Sequence, residues 1–277
     1  MQVIDSLKEM TYLSRNWDYS LKIGFIPTMG ALHAGHISLV KKSISSCDIT
    51  VVSIFVNPAQ FGPNEDFSRY PKTFEQDYQA LLDLGVDYIF LPNSNQMYPE
   101  EYKTWIKLDH ITEILCGASR PGHFTGVATI VLKLVNLVRP TLMFMGEKDF
   151  QQIVVLETML KDLNLETKIV RCPIVRSDSG LALSSRNKYL SPEEQAIAPE
   201  LNRAMKALRA SYLEGNNDLE NLLINLKNKL ETVGFKIDYI EIVDSATLQR
   251  VKTVQRGNRL LVAVFLGNTR LIDNIEI

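Results

Sequence analysis

Short apolar runs alternate with longer amphipathic segments through the first 175 residues of the chain. Runs of strand length predict β-strands at residues 22–26, 49–56, 88–91, 141–145 and 167–171, with residues 104–108 as a further candidate. Apolar residues at helical spacing predict helices at about residues 36–45, 73–84, 125–137 and 150–163. Apolar strands separated by amphipathic helices are typical of an α/β fold, in which a parallel sheet carries helices on both faces. Ligands of such sheets bind at the carboxyl ends of the strands.

The pattern changes after about residue 175. Ser191, Pro192 and Glu194 form a capping box with proline at the first helical position, which predicts a helix that continues to about residue 213. The remaining pattern predicts a helix at about residues 219–233, strands at 235–243, 260–266 and 269–275, and a short helical turn near 246–250. We therefore expect two domains, residues 1–175 and a small α+β domain of residues 176–277, with a hinge in the turn-forming residues 177–180.

Composition and charge are those of an ordinary globular protein. The 277 residues are 45% hydrophobic and 22% charged, which is enough for a sizeable core. The net charge of −2 provides no broad basic surface, so we expect no nucleic-acid partner. The longest apolar stretch, residues 126–138, is interrupted by Lys133 and Asn136 and is too short to span a membrane. The N-terminus shows no secretory signal and the three cysteines have no CxxC spacing, so we expect a cytoplasmic protein.

The candidate chemistry begins in residues 27–36, where a predicted strand passes into a helix. This segment contains two glycines and two histidines, His33 and His36. Backbone N–H groups at a helix start attract phosphate, glycine lets a ligand approach the backbone, and histidines three residues apart can face one ligand. The segment therefore favours a nucleotide site. Two alternatives stay open, an ordinary strand–helix turn and a pair of metal ligands, although a zinc site would need further Cys or His.

A second predicted strand end carries similar residues. Gly146 follows the strand, and Lys148 and Asp149 come at the start of the next helix. Lys148 is placed as a cationic partner for phosphate, Asp149 can accept from a ribose hydroxyl, and Gln152 lies one turn further on the same face. The alternative is an ordinary capped helix with a solvated lysine. Two phosphate-compatible strand ends in one sheet favour the nucleotide site.

Three other polar segments are weaker candidates. Residues 184–186, two serines and an arginine beside the predicted hinge, suit a polyphosphate and a closing loop, but a surface turn is equally compatible. Asn57 and Gln60 can direct amide groups into a cleft, although their chemistry alone favours a simple turn. Residues 120–124 could bind an anion or form a loop without chemistry.

Five segments together resemble the pantoate–β-alanine ligase (pantothenate synthetase) family of coenzyme A biosynthesis. They match the family in order and spacing, and they are residues 27–36, 52–61, 69–71, 146–149 and 183–187. The resemblance is strong from Pro27 to Leu190, and the C-terminal part agrees in length and coarse pattern. Ala59 and Gly122 replace the methionine and threonine that are common in the family, and neither change removes a polar group expected in the site.

The resemblance implies a class I nucleotidyltransferase fold, which is Rossmann-like, with a small C-terminal lid domain and a homodimeric assembly. It implies ATP, pantoate and β-alanine as substrates, with Mg²⁺ accompanying ATP. Pantoate would attack the α-phosphate to give pantoyl adenylate and pyrophosphate, and β-alanine would then displace AMP to form the amide. Positioned donors and cations are the main means of stabilising the charge that builds on the phosphates.

The resemblance also implies roles for individual residues, which we group by ligand. The phosphates are expected to contact His33, His36, Lys148, Ser184, Ser185 and Arg186. The catalytic residues would be His33, His36, Lys148 and Arg186, with His36 as the proton donor. The ribose would contact Gly146 and Asp149, and adenine the main chain of Lys148 and Val175. The remaining ATP-binding positions are Met29, Gly30, Ala31, Leu32, Ala34, Gly35, Glu147 and Leu183.

The two other substrates are assigned to a pair of glutamines. Gln60 and Gln152 would hold the hydroxyls and carboxylate of pantoate, with Gln60 also near β-alanine and Met29 covering the reacting groups. Asp77 is a possible metal contact. Two other functions are weighed against this one. The glutamine pair and the lack of a basic surface disfavour a cytidylyltransferase or tRNA-charging enzyme, and the intact Lys148 and Arg186 disfavour a non-catalytic nucleotide-binding protein.

Overall fold

The computed structural model of the chain describes residues 1–63 and 65–277. These residues separate into two compact units. The first unit comprises Met1–Glu147 and Val155–Pro173, and the second comprises Lys148–Val154 and Ile174–Ile277. The lid role of the C-terminal part stays a prediction.

The first unit contains, in the described part of the chain, a six-stranded sheet in the order β1-β4-β3-β2-β5-β6. The strands are β1 (Gln2–Ile4), β2 (Ile23–Thr28), β3 (Ile49–Ile54), β4 (Tyr88–Phe90), β5 (Leu142–Gly146) and β6 (Lys168–Cys172). Every neighbouring pair is parallel. The chain runs outward from β2 to β4 and then crosses back to β5, so β2 and β5 border a topological switch point. The crevice at such a point is the usual ligand site, and the loops that follow β2 and β5 begin there.

The helices of this part connect the strands. They are α1 (Leu7–Asn16), α2 (Ala34–Ile44), α3 (Phe74–Leu84), α4 (Ser94–Met97), α5 (Cys116–Ser119), α6 (His123–Val138) and α7 (Phe150–Asp162). Short 3₁₀ turns lie at Pro58–Gln60, Asp66–Arg69 and Glu147–Asp149. Because crossovers between parallel strands are right-handed, α2 and α3 cover one face of the sheet and α1 and α6 the other. Leu39 of α2 and Leu81 of α3 pack on Ile26 and Val52 in one buried cluster.

The second unit has helices packed on a small antiparallel sheet. Its elements are a 3₁₀ turn (Ser185–Tyr189), α8 (Pro192–Ile197), α9 (Glu200–Leu213), α10 (Leu219–Thr232), β7 (Lys236–Val243), β8 (Arg259–Leu266) and β9 (Thr269–Glu276). The sheet order is β7-β8-β9. Met205 of α9 and Leu230 of α10 are buried against Leu260 and Val262 of β8. The predicted fold class, a parallel α/β sheet followed by a small α+β part, is confirmed.

Several elements differ from the sequence prediction. The apolar pattern does not predict β1, which has only three residues, or α1. The predicted helix from Ser191 to about residue 213 is two helices, because Pro199 lacks the N–H that would continue α8. Within residues 1–63 and 65–277, none of the helices has the length and apolar content needed to cross a bilayer.

One short predicted element is wrong, and another is displaced. Residues 104–108 do not form a strand, and the N–H of Ile106 instead donates to Thr129 Oγ1 on α6 at 3.0 Å. The helical turn expected near residues 246–250 lies slightly earlier, as a single turn in which the N–H of Leu248 donates to the carbonyl of Asp244 at 2.9 Å. Asp244 Oδ1 also accepts from the N–H groups of Ala246 and Thr247 at 3.0 and 2.8 Å. In both places a side-chain acceptor satisfies the backbone, which apolar periodicity does not reveal.

Candidate active site

The loop between β2 and α2 turns sharply in the left-handed conformation. Gly30 and Ala31 have φ values of 78° and 51°. Thr28 Oγ1 accepts from the N–H of Gly30 at 3.1 Å and donates to the carbonyl of Ser53 on β3 at 2.7 Å. A left-handed alanine is uncommon, so other groups must hold the chain in this shape.

The carboxylate of Asp77, on α3, bonds the backbone of this loop. Its Oδ2 accepts from the N–H of Ala31 at 2.9 Å, and its Oδ1 accepts from the N–H of Leu32 at 2.8 Å. Thr73 Oγ1 donates to Oδ2 at 3.2 Å. Asp77 is 3% exposed. The sequence predicts a metal contact for Asp77, which stays untested, whereas the structure gives its oxygens backbone partners.

The two histidines form the start of α2. His33 is the N-cap residue, and its Nδ1 accepts from the N–H of Gly35 at 3.1 Å, while His36 Nδ1 accepts from the N–H of His33 at 3.4 Å. Each neutral imidazole therefore carries its proton on Nε2. The ring centroids are 4.2 Å apart. A Cβ on Gly35 would lie 2.8 Å from His33 Cε1, so any side chain at this position would displace the imidazole ring.

These features suit an anion. Two Nε2–H donors lie together at the N-terminus of an 11-residue helix that has no acidic residue in its first turn. The helix dipole adds positive potential at the same point. The geometry supports phosphate binding by His33 and His36. Metal binding has less support, since no three His, Cys, Asp or Glu side chains in the described residues form a group that could hold an ion.

A buried amide orients Gln60 after β3. Asn57 is 1% exposed, and its Oδ1 accepts from the N–H of Ala59 at 3.3 Å. Its Nδ2 donates to the carbonyl of Gly126 at 3.2 Å and to Gln60 Oε1 at 3.0 Å. Because backbone groups determine the Asn57 amide orientation, they also determine that of Gln60. Gln60 Nε2 then faces Met29 Sδ at 3.2 Å, so two of the predicted site residues lie in contact.

Tyr98 and Gly126 complete the support of this amide. The hydroxyl of Tyr98 donates to Asn57 Oδ1 at 2.9 Å. Burial and the neighbouring Tyr102 raise the pKa of Tyr98, so it stays a donor. A Cβ on Gly126 would lie 2.2 Å from the carbonyl oxygen of Ala59, so glycine is required for α6 to approach the Pro58–Gln60 turn.

A series of hydrogen-bonded side chains that includes an ion pair holds the backbone of Gln60. Its carbonyl accepts from His123 Nδ1 at 2.9 Å, and His123 Nε2 accepts from Arg120 Nη1 at 2.9 Å. Arg120 also makes a bidentate pair with Glu65, at 2.7 and 2.6 Å. Burial raises the pKa of Glu65, but the hydrogen bonds and charge of Arg120 outweigh burial and hold it below its ordinary value. The segment at residues 120–124 thus supports Gln60.

The second unit anchors the main chain of Lys148. Lys148 Nζ lies 3.5 Å from Asp149 Oδ1, and the lysine side chain is 18% exposed. The carbonyl of Lys148 accepts from Asn274 Nδ2 at 3.1 Å. Asn274 Oδ1 in turn accepts from Arg259 Nη1 at 2.7 Å. The backbone at Lys148 is therefore tied to β8 and β9.

The segment that contains Val175 and Leu183 is a short antiparallel turn. Leu183 N–H donates to the carbonyl of Val175 at 3.0 Å. Arg176 pairs with both oxygens of Asp273, at 2.6 and 2.8 Å. Ser184 Oγ then accepts from the N–H of Arg186 at 3.3 Å, which starts the 3₁₀ turn. These bonds position the serine–arginine segment relative to β9.

The predicted site residues fall into two groups. The first unit contains Met29, Gly30, Ala31, Leu32, His33, Ala34, Gly35, His36, Gln60, Asp77, Gly146 and Glu147. The second unit contains Lys148, Asp149, Gln152, Val175, Leu183, Ser184, Ser185 and Arg186.

The sequence analysis does not identify the supports of Gln60. For Asn57 the chemistry favours a simple turn, and Tyr98 and Glu65 carry no signal of their own. The useful signal is an amide placed directly after a buried strand, three residues before a second amide.

Comparisons with known proteins identify the family of this chain. A family model described as pantoate-beta-alanine ligase matches residues 2–276. The pantothenate synthetase of Thermosipho africanus is 48% identical over 278 residues, which cover 100% of this chain and 100% of that protein.

Two solved structures are also similar. The pantoate-beta-alanine ligase (pantothenate synthetase) of Thermus thermophilus has a TM-score of 0.95 and 41% identity, and the match covers 100% of this chain and 99% of that one. The pantoate-beta-alanine ligase of Francisella tularensis, complexed with beta-gamma ATP and beta-alanine, has a TM-score of 0.83 and 40% identity, covering 100% and 97%. The resemblance in the sequence motifs is thereby confirmed, and the chain belongs to the pantoate–β-alanine ligase family.

Proposed function

We propose that the chain condenses pantoate with β-alanine to form pantothenate, using ATP and releasing AMP and pyrophosphate. The observation that carries this proposal is the contact between Gln60 Nε2 and Met29 Sδ at 3.2 Å. It places an oriented amide, suited to a hydroxyl or carboxylate, at the beginning of the loop that leads to His33 and His36. An acid substrate held by Gln60 would then lie beside a bound triphosphate.

The first step is attack of the pantoate carboxylate on the α-phosphate, which gives pantoyl adenylate and pyrophosphate. Negative charge shifts onto the phosphate oxygens in this step. The Nε2–H groups of His33 and His36 and the N-terminus of α2 are donors fixed before the substrate arrives. Such preorganised donors stabilise developing charge without further rearrangement. We assign His36 as the proton donor to the phosphates.

The second unit supplies the cations and further donors for ATP. We assign Lys148, Ser184, Ser185 and Arg186 to the phosphates, Gly146 of the first unit and Asp149 to the ribose, and the main chain of Lys148 and Val175 to adenine. The carbonyl of Lys148 is held by Asn274. We assign Mg²⁺ to the nucleotide, since Mg²⁺ is commonly held through substrate phosphates and Asp77 is engaged with backbone N–H groups.

The second step is attack of the β-alanine amine on the acyl carbon of the adenylate, with AMP as the leaving group. Gln60 and Gln152 would hold the pantoyl part through its hydroxyl groups. The polar supports of Gln60 favour a ligand that hydrogen-bonds, because an apolar ligand would leave the Gln60 Nε2 donors without an oxygen acceptor.

Exchange of labelled pyrophosphate into ATP tests the two-step scheme. We expect exchange that depends on pantoate and needs no β-alanine. If β-alanine is required, or if an amino acid replaces pantoate equally well, the proposed order of steps is wrong.

A further inference from the structure

Asp77 is a buried carboxylate that has no basic partner among residues 1–63 and 65–277. Its hydrogen-bond donors are the N–H groups of Ala31 and Leu32 and the hydroxyl of Thr73. No Lys, Arg or His side chain of the described residues forms an ion pair with it, although it is 3% exposed. Burying an unpaired carboxylate costs free energy, so the hydrogen bonds that it accepts must offset this cost.

The donors come from a backbone shape that attracts anions. A turn that includes left-handed residues can direct successive backbone N–H groups at one point and form a concave anion site. Gly30 and Ala31, at φ values of 78° and 51°, have this conformation, and the converging N–H groups of Ala31 and Leu32 point at Asp77. The protein's own carboxylate thus occupies this anion site.

We infer that Asp77 is a positioning residue that shapes the phosphate loop. Its carboxylate holds Ala31 in the left-handed conformation, and the chain then enters α2 with His33 at the N-cap and both Nδ1 atoms accepting backbone N–H groups. The Nε2–H groups of His33 and His36 are thereby oriented as donors at the start of α2. The N–H groups of Ala31 and Leu32 are committed to Asp77, so those two residues contribute shape to the ATP site.

The same contacts disfavour Asp77 as a metal ligand. Three of the roughly four lone-pair sites of the carboxylate already accept hydrogen bonds, from Ala31, Leu32 and Thr73, and a metal ion would have to reach a side chain that is 3% exposed. Within the described residues it would also find no group of three ligating side chains.

The test compares ATP binding to wild type and Asp77→Asn, by calorimetry, in excess chelator and again with Mg²⁺. Asparagine keeps one acceptor and places an NH₂ group against a backbone N–H. We expect the affinity for ATP to fall about tenfold or more both in chelator and with Mg²⁺. This factor corresponds to the loss of one hydrogen bond to a charged group. A loss that occurs only with Mg²⁺ would make Asp77 a metal ligand and overturn the inference.

A spectroscopic measurement tests the positioning role directly. Nitrogen NMR should show the Nε2–H tautomer for both His33 and His36 in the wild type. Asp77→Asn should disturb this signature at both rings, which the loss of a structural contact elsewhere would not do. Unchanged ring signals together with unchanged ATP affinity would refute the inference.

Two further variants control the test. Thr73→Val removes the hydroxyl but keeps both backbone bonds to Asp77, so ATP affinity and the ring signals should stay close to wild type. Gly30→Ala adds a Cβ at 3.1 Å from Asp77 Oδ2 in a left-handed residue and should reproduce the loss without changing the charge. If Asp77→Asn does not fold, Gly30→Ala tests whether the contact between Asp77 and the loop orients the two histidine rings. Normal ATP affinity and normal ring signals in Gly30→Ala would then count against the inference.

The expected effect of the loop on ATP binding rests on the proposed function. The His33→Ala variant distinguishes a failure of the proposed phosphate contact from a failure of the positioning role of Asp77. Unchanged ATP affinity in His33→Ala would reject the proposed phosphate contact, while the ring signals of the Asp77→Asn or Gly30→Ala protein still accept or reject Asp77 as the residue that positions the loop.

Discussion

The two polar atoms of the Asn57 amide are hydrogen-bonded to different groups. Oδ1 accepts from backbone and Tyr98, and Nδ2 donates to Gly126 and Gln60. Its amide therefore transmits the direction of the backbone to Gln60. A buried residue can in this way determine which atom of Gln60 is offered to a ligand.

Asn57→Asp tests this transmission. The new oxygen would face the carbonyl of Gly126 and Oε1 of Gln60, so Gln60 should rotate. We expect the KM for pantoate to rise about tenfold or more, with the KM for ATP nearly unchanged. Tyr98→Phe, which removes one donor to Oδ1, is the matched control and should have a smaller effect. An equal rise in the KM values for pantoate and ATP would mean that Gln60 does not belong to the pantoate pocket.

Lys148 allows the two half-reactions to be separated. Its ammonium is expected to contact phosphate in the first step, whereas its backbone is already held by Asn274. Lys148→Ala should slow adenylate formation roughly a hundredfold, from the loss of about 3 kcal/mol of charge stabilisation. Amide formation from supplied pantoyl adenylate should slow less, because pyrophosphate has left.

Single-turnover kinetics on each half-reaction measures this difference, with a melting curve as the control for folding. Equal slowing of both halves would mean that Lys148 serves the adenylate. A collapsed melting temperature would instead give the side chain a structural role.

At the scale of elements, α6 is joined to the segment after β3 by charge as well as by close packing. Glu65, Arg120 and His123 form a chain that ends on the carbonyl of Gln60. Gly126, one turn further along α6, packs against the Pro58–Gln60 turn. The helix therefore supports the segment that contains Gln60 from two points.

The Glu65–Arg120 pair should make stability depend on pH. The folded pKa of Glu65 lies below its ordinary value of 4.5, so the pair stabilises the fold above that value. The contribution should be lost as pH falls through the lowered folded pKa. Wild type should exceed Glu65→Gln by about 1 kcal/mol in the free energy of unfolding at pH 7. Denaturant titrations at pH 7 and pH 3 measure the difference, and a gap that stays constant would contradict the pairing.

At the scale of the whole molecule, the family resemblance predicts a homodimer. Light scattering should give twice the mass of the 31.4 kDa chain. A mass equal to one chain, measured over a range of protein concentrations, would refute the prediction.

The local pattern of the chain was sufficient to predict most elements and the starts of several helices. The strand–glycine–helix order around Gly30 and His33, and the capping box at Ser191, depend on neighbours within a few residues, so periodicity and residue type reveal them. The same local reasoning fails at Pro199, where a single missing N–H divides a helix whose apolar spacing continues.

Contacts between residues that are distant in the sequence could be identified only from the tertiary structure. Asp77 meets Ala31 across 46 positions, and Tyr98 meets Asn57 across 41. No spacing rule connects such residues, because the strand order and helix packing bring them together. Sequence patterns therefore revealed which groups could do the chemistry, and the packed structure determined which atoms of those groups are presented for it, since buried donors and acceptors must be satisfied by whatever the fold places beside them.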